Sequence, residues 1–345
     1  MARELQQGAT IWDVARKAGV SITTVSHSLN GKGNISAATR ERVRAVAAEL
    51  GYVADAMARG LRSSKMNAIG LVFRSLDSLG NYGPNGVDVF MKLAGAAAGE
   101  TLNRNLGLML VPDLSRGPLP PFSMSLDGYI VFAPLLDDPV VALLEKRGIP
   151  YVTWDRHPGR PDLRNWVAHD DAASTRVVLD HLRAAGAESI AYVGGTDRNA
   201  WNFDCEAAYV AWCLESDREP LIHHVPERDG LEGGREVGAA LLAAGVPDAV
   251  FCLTGRHATG VAQAMQEHGL TIPRDLLVCT GSDSEHSRQH QPPISALDVD
   301  IPAAAAALVQ QLVDVMEADK ESAPVLLPAR FLERESTVGG KPSSP

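Results

Sequence analysis

From about residue 68 onward, short apolar runs alternate with longer stretches of helical periodicity. Residues 69–73, 106–111, 129–132, 151–154, 189–193, 249–253 and 276–280 are rich in Val, Ile, Leu and aromatics and nearly free of charge. Such runs fit strands buried on both faces of a parallel sheet. Between them, residues 86–104, 138–147, 171–185, 203–216, 231–244, 256–268 and 302–318 place apolar side chains at helical spacing. The alternation predicts doubly wound parallel sheets with ligands at the carboxyl ends of the strands, and the length calls for two such halves.

The N-terminal segment follows a different pattern. Thr10, with Asp13 three positions on, opens a first helix as a capping-box-like start, and Ile11, Val14, Ala15 and Ala18 share one face of it. Gly19 can take the left-handed conformation that stops this helix. Ser21 and Thr24 begin a second helix that runs to Leu29, where Asn30-Gly31 ends it. Ser36 caps a third, in which Val43, Val46, Ala47 and Leu50 face inward and Gly51 closes the end. Three short helices of this size fit a helix-turn-helix, with a plain structural bundle as the alternative. On the second helix Ile22, Thr23, Ser26 and His27 fall away from the Val20/Val25/Leu29 stripe. Ile22, Thr23 and His27 are placed to read base edges: Thr offers a methyl and a hydroxyl, His a donor and an acceptor.

Charge sharpens this division. A net charge of −10 argues against nucleic acid, yet residues 1–65 hold ten Lys/Arg against five Asp/Glu. A small basic module therefore precedes a strongly acidic body, the footprint of a DNA-binding headpiece on a sensor or enzyme domain. Arg16, Lys17, Lys32, Arg40, Arg42 and Arg44, with the polar tips of Trp12 and Tyr52, are available to phosphates, which position a protein without reading sequence. The four cysteines form no CxxC pair and read as free thiols. No run approaches the ~18 apolar residues of a membrane helix, and MARELQQGAT lacks a signal-peptide core, so a cytoplasmic, nucleoid-associated protein with no membrane partner is expected. Catalytic motifs are missing. Gly31-Lys32-Gly33 lacks the strand that precedes a phosphate loop, Gly194-Gly195-Thr196 reads as a strand-end turn, and His223-His224 and His286/His290 lack further ligands. No catalytic residues, metal or cofactor are expected, and the chain is not read as an enzyme.

Residues 10–33 (TIWDVARKAGVSITTVSHSLNGKG), continued through 36–61, resemble the headpiece of the LacI/GalR family of bacterial repressors almost position by position. The resemblance implies base reading by Ile22, Thr23 and His27. His27 stands where Arg is common, which implies an altered operator preference. It also implies phosphate contacts from Thr10, Trp12, Ser21, Thr24, Ser26, Asn30 and Tyr52. It divides the chain into a headpiece (1–53), a hinge helix and linker (54–66), a two-lobed periplasmic-binding-protein-like effector and dimerisation domain (67–338) and a flexible tail (339–345). In the hinge, too short a helix to be stable alone, Leu61 matches a leucine that wedges into the minor groove. The lobe crossovers are expected near 160, 290 and 320.

In the cleft, Asp155 and Asp283 match acidic positions that accept effector hydroxyls, although Asp at a strand end can equally cap the next helix. Cys205 replaces a common effector-binding Arg, and Thr254-Gly255 replaces an Asn-Asp pair, so a typical sugar contact set does not carry over. Trp154, Trp201 and Phe203 suit either stacking on a ligand or a place in the core. No leucine heptads follow the last domain, which points to a homodimer on a pseudo-palindromic, double-stranded operator. The resulting expectation is a sequence-specific transcription regulator, a repressor, whose operator affinity is controlled allosterically by a small sugar-like molecule. The alternatives are a regulator with no effector and a cytoplasmic solute-binding protein.

Overall fold

The structure, a computed structural model, describes residues 9–29, 31, 33–52, 65–72, 88–318 and 323–338. Two compact units divide at Met66 and Asn67. Asn30, Lys32, the hinge positions 54–64 with Leu61, and the tail 339–345 lie outside the described residues.

In the first unit, helices α1 (Ile11–Ala18), α2 (Ile22–Leu29) and α3 (Ala37–Glu49) start where capping side chains satisfy free amides. Asp13 accepts the Thr10 amide at 3.0 Å while Thr10 Oγ1 accepts the Asp13 amide at 3.4 Å, completing the capping box. Gly19, at φ 65°, closes α1 in the left-handed conformation. Ser21 Oγ accepts the Thr24 amide at 3.1 Å and Ser36 Oγ that of Thr39 at 3.2 Å. Val14, Ala15, Ala18, Val25, Val43 and Ala47 form the core, with Val20, Leu29 and Leu50 packed against it. Ile22, expected to face away from this core, is half-buried and packs on it as well. On so short a helix, the first residue lies close enough to the turn to share its apolar contacts.

The second unit holds two six-stranded sheets among the described residues. The first contains β1 (Ala68–Val72), β2 (Gly107–Val111), β3 (Gly128–Phe132), β4 (Tyr151–Trp154), β5 (Trp166–His169) and β11 (Val325–Leu327), all parallel, in the order β11-β5-β4-β3-β1-β2. The second contains β6 (Ile190–Gly194), β7 (Leu221–His224), β8 (Ala249–Cys252), β9 (Leu277–Thr280), β10 (Ser295–Val299) and β12 (Ala329–Leu332), in the order β12-β10-β9-β8-β6-β7. Only β12 runs antiparallel to its neighbour. Helices α4 (Asp88–Asn103) and α5 (Pro139–Lys146) belong to the first lobe. Helices α6 (Asp171–Ala184), α7 (Ala200–Glu215), α8 (Gly230–Ala244), α9 (Gly255–Glu267) and α10 (Glu285–Gln289) belong to the second. Helix α11 (Ile301–Ala318) returns to cover the first sheet with α4. Separate apolar clusters line both faces of each sheet.

The chain passes between lobes after β5, after β10 and between β11 and β12. All three passages fall later than the expected positions near 160, 290 and 320. The first two follow short strands carrying polar residues, such as His169 or Asp298, that an apolar pattern does not register, and the third follows β11, a strand of only three residues. In both sheets the strand order reverses, between β1 and β3 and between β6 and β8, and the crevice at such a reversal opens at the carboxyl ends.

Helices α8 and α9 cross where neither has a side chain. A Cβ on Gly234 would lie 2.3 Å from the His257 carbonyl oxygen, and one on Gly260 would lie 2.1 Å from that of Leu231. Gly234→Ala should therefore destabilise the protein: the helix-propensity gain of about 1 kcal/mol is outweighed by overpacking against backbone, which costs about 1–3 kcal/mol or more. The denaturation midpoint should fall, and an unchanged or raised midpoint would refute the close crossing.

Candidate nucleic-acid interface and ligand cleft

On the headpiece, Thr23 is exposed at the start of α2, and Ser26 and His27 are half-buried one turn later. The chain after α2 is shaped around the His27 ring: a Cβ on Gly33 would lie 2.7 Å from its Nδ1, and Gly33 takes φ 71°. The Arg40 guanidinium donates to the Gly33 carbonyl at 3.4 Å, tying a cation to the same turn. Trp12 is 65% exposed at the start of α1. Hydroxyls of Ser21 and Thr24 bond each other at 2.9 Å, and Thr10 Oγ1 donates to Asp13 at 2.6 Å. These expected phosphate contacts thus also hold the helix starts. Among the cations, Lys17 pairs with Glu49 at 2.6 Å and Arg16 with Asp13 at 3.4 Å, while Arg42 and Arg44 are exposed on α3. Exposed pairs of this kind contribute at most about 1 kcal/mol and exchange readily for phosphate.

In the second unit a cavity of about 340 Å³ opens at the carboxyl ends of both sheets, a size suited to a small metabolite. One wall carries Phe132 from β3, Trp154 from β4 and Asp155 just after it, His169 from β5 and Asp171 from α6. Trp154 packs edge-on to Phe132 at 5.4 Å and lies 5.9 Å from the His169 ring. Asp155 sits at φ 73°, a costly conformation for a residue with a side chain. It is held there by its amide donating to Val167 O at 2.8 Å and by Thr153 Oγ1 donating to its carbonyl at 2.6 Å.

Electrostatics on this wall are unbalanced. Burial first, then repulsion from Asp204, raises the Asp155 carboxyl above the ordinary range, with Arg156 opposing. Asp171 is raised in the same way, by burial and then by Asp155, Asp204 and Asp170. Arg156 is committed elsewhere: its Nε donates to Asp204 at 3.0 Å and an Nη to the other oxygen, tying the first lobe to the second. Burial lowers His169 to about 4, so its ring is neutral at pH 7.

The opposite wall carries Asn199, Trp201, Thr254, Arg256 and Glu227. Glu227 accepts the Thr196 amide at 3.1 Å and Asn202 Nδ2 at 2.7 Å, and a Cβ on Gly195 would lie 1.9 Å from its carboxylate. The glycines after β6 therefore admit the chain's own carboxylate. Arg256 donates to the Glu227 carbonyl at 2.9 Å, and burial lowers its pKa.

Two of the four expected effector residues line this cavity. Asp155 does, and so does Thr254, whose hydroxyl also caps α9 by accepting the His257 amide at 3.2 Å. Cys205 does not. It belongs to the buried face of α7 with Tyr209, Trp212 and Cys213, and burial pushes its thiol well up. Asp283 is likewise spent inside its lobe, accepting Arg288 at 2.7 Å and Arg334 at 2.6 Å, while its neighbours Ser282 and Ser284 reach the cavity. Trp154 and Trp201 line the cavity, whereas Phe203 is exposed and does not. Sequence reasoning passed over His169, Asp171, Glu227 and Arg256. The signal for the first two was the His-Asp-Asp at the end of the missed strand β5 and the start of α6. Among the described residues no group of His, Cys, Asp and Glu could hold a metal ion.

Residues 10–55 match the profile for bacterial regulatory proteins of the lacI family, and residues 179–337 match that for the periplasmic-binding-protein-like domain. The HTH-type transcriptional regulator RafR of Escherichia coli is 35% identical over 264 residues, which cover 74% of this chain and 76% of RafR. The lactose operon repressor of E. coli K12 is 25% identical over 334 residues, 95% of this chain and 91% of that protein. Among solved structures, the lac repressor dimer bound to operator and the anti-inducer ONPF superposes with a TM-score of 0.80 at 22% identity, covering 96% of this chain and all of that one. The regulator CelR in complex with cellobiose gives 0.69 at 22% identity, with 95% and 99% covered.

The raised carboxyls carry a sign for stability. An Asp whose folded pKa lies above its unfolded value binds more protons when folded, so stability falls as pH rises from about 4 through the folded value. Asp171→Asn should therefore raise the thermal midpoint at pH 8, with the gain shrinking toward pH 5. A gain independent of pH would show that the carboxyl carries no such penalty.

Proposed function

The chain belongs to the LacI family of bacterial regulatory proteins, and from that membership we propose that it is a dimeric, sequence-specific DNA-binding transcription regulator, a repressor, whose hold on operator DNA is set by a small molecule in the inter-lobe cleft. The observation that carries this reading is the pairing of a capped helix-turn-helix, with Thr23 and His27 on its second helix, with a two-lobed unit that holds a cavity at its strand ends. It is a regulator rather than an enzyme, and it works in the cytoplasm, where its DNA is. No helix among the described residues is long and apolar enough to cross a membrane.

In this reading α2 enters the major groove, with Thr23, His27 and the exposed part of Ile22 at base edges. Thr10, Trp12, Ser21, Thr24, Ser26, Asn30 and Tyr52 fix its register on phosphates. Leu61 of the hinge enters the minor groove as an apolar wedge and bends the operator, at a cost of about a few kcal/mol. Two copies meet the two halves of a pseudo-palindrome. A ligand in the cleft changes the relative population of two lobe arrangements by its differential affinity for them, and through that the hinge and the operator affinity. The bound ONPF and cellobiose named for the two solved relatives support a sugar-like effector here. A second reading, a regulator without an effector, draws on Cys205 and Asp283 being committed inside their lobe.

Operator affinity of the full chain should fall by orders of magnitude between ~50 and ~200 mM salt. His27→Ala should cost about 1–3 kcal/mol on the operator and relax preference at one base pair, whereas Arg42→Ala should weaken all sequences alike. Electrophoretic or fluorescence titrations on operator and scrambled DNA separate these outcomes, and salt-independent binding would overturn the reading. Leu61→Ala should weaken operator binding far more than scrambled-DNA binding. Equal losses would remove the wedge.

A further inference from the structure

Two acidic side chains stand on the cavity wall with nothing of their own to neutralise them. Asp155 is 8% exposed, and Asp171 opens α6 beside it. Among the described residues neither carboxyl accepts a hydrogen bond, because Arg156, the nearest cation, is engaged by Asp204. A third, independent group points the same way: His169, 6% exposed on the same wall, has a buried Nε2 without a partner. On the rest of the lining carboxylates outnumber guanidiniums, and Arg256 and Arg116 sit with Glu227 and Asp113. Trp154 and Phe132 supply an apolar, π-rich floor next to the pair.

The chemistry that satisfies such a wall is narrow. An anionic ligand is repelled by the pair, and a neutral polyol can bond to it but does nothing to offset the repulsion that keeps protons on it. A cation with N–H donors removes both costs at once, through charge-assisted hydrogen bonds about twice as strong as neutral ones. An aromatic face beside it adds to the attraction.

We infer that the ligand of this cleft carries a protonated primary amine, seated between the Asp155 and Asp171 carboxylates beside His169, with the remainder of the ligand against Trp154. The inference rests on the effector reading of the cleft and narrows it to amine-bearing metabolites of the size of an amino sugar or a short diamine. Burial and then Asp204 raise Asp155, burial and then Asp155, Asp204 and Asp170 raise Asp171, and Arg156 opposes both; the buried Cys205 thiol and Tyr192 hydroxyl feel the same acidic field. An incoming ammonium therefore displaces protons from the pair, and affinity rises with pH until the amine itself deprotonates.

The test uses the full chain in calorimetry and thermal shift, with glucosamine, galactosamine and putrescine set against glucose, galactose and 1,4-butanediol. At least one amine should bind about tenfold or more tightly than its hydroxyl counterpart. Its binding should release protons, seen as a heat that depends on the buffer's ionisation enthalpy, and should tighten from about pH 6 to about pH 7.5. Asp171→Asn should lose about tenfold or more in amine affinity while still binding operator. The proton release is measured on the unmodified chain, so it holds even where that variant fails to fold. A hydroxyl compound binding as tightly as its amine overturns the inference and leaves the effector reading standing. Binding of none of the six, by a chain that still binds operator, overturns the amine inference and favours a regulator with no effector.

Discussion

Both sheets of the large unit are buried on both faces, and the placement of chemistry follows from that burial. A parallel sheet needs a crossover helix after nearly every strand, and those helices cover both surfaces with apolar side chains. Polar groups are then tolerated only where strands end and the chain turns. Phe132, Trp154, Asp155 and His169 each lie at such an end, and Asp171, Asn199 and Thr254 at the helix starts that follow. The cavity is thus the meeting of two sets of strand ends.

Within that frame, charge is distributed in two ways. The headpiece carries a basic excess, and among its described cations Arg16, Lys17, Arg42 and Arg44 are exposed or held in weak surface pairs, so phosphates can compete for them. The large unit concentrates acidic groups on one wall and holds them apart from its arginines through directed bonds. Arg156 with Asp204 spans the lobes, whereas Arg288 and Arg334 with Asp283 stay within one. The first of these pairs joins the two lobes, and it shares its field with the Asp155 and Asp171 carboxyls on the cavity wall.

Much of this was legible in the chain. The seven apolar runs are all strands, six inside their sheets, where burial on both faces leaves a continuous apolar signature, and one, β2, at an edge; the headpiece helices begin at Thr10, Ser21 and Ser36, where short polar side chains meet free amides. The strands β5, β7, β10, β11 and β12 were not legible, the last two being edge strands of only three and four residues. Trp166–His169, Leu221–His224 and Ser295–Val299 mix His, Ser or Asp with apolar residues, since they lie toward sheet edges or end at the cavity. Missing β5 also hid His169 and Asp171, which have meaning only as the end of a strand and the start of the helix after it.

What the sequence by itself determined was the order of the main elements, the basic headpiece on an acidic body and the Val25/Leu29 core stripe of α2, because these depend on periodicity, capping and charge, which act over a few residues. Tertiary structure alone decided which polar residues share a cavity. Asp155 entered it and Asp283 did not, although both are aspartates near strand ends, because two arginines distant from Asp283 in sequence or on the next helix fold back onto its carboxylate and none does so onto that of Asp155. Cys205 turned into the core for the same kind of reason: the helix face it shares with Tyr209 and Trp212 is buried by the sheet beneath. Partners brought together from far along the chain set the local field, and no window of neighbouring residues contains that information.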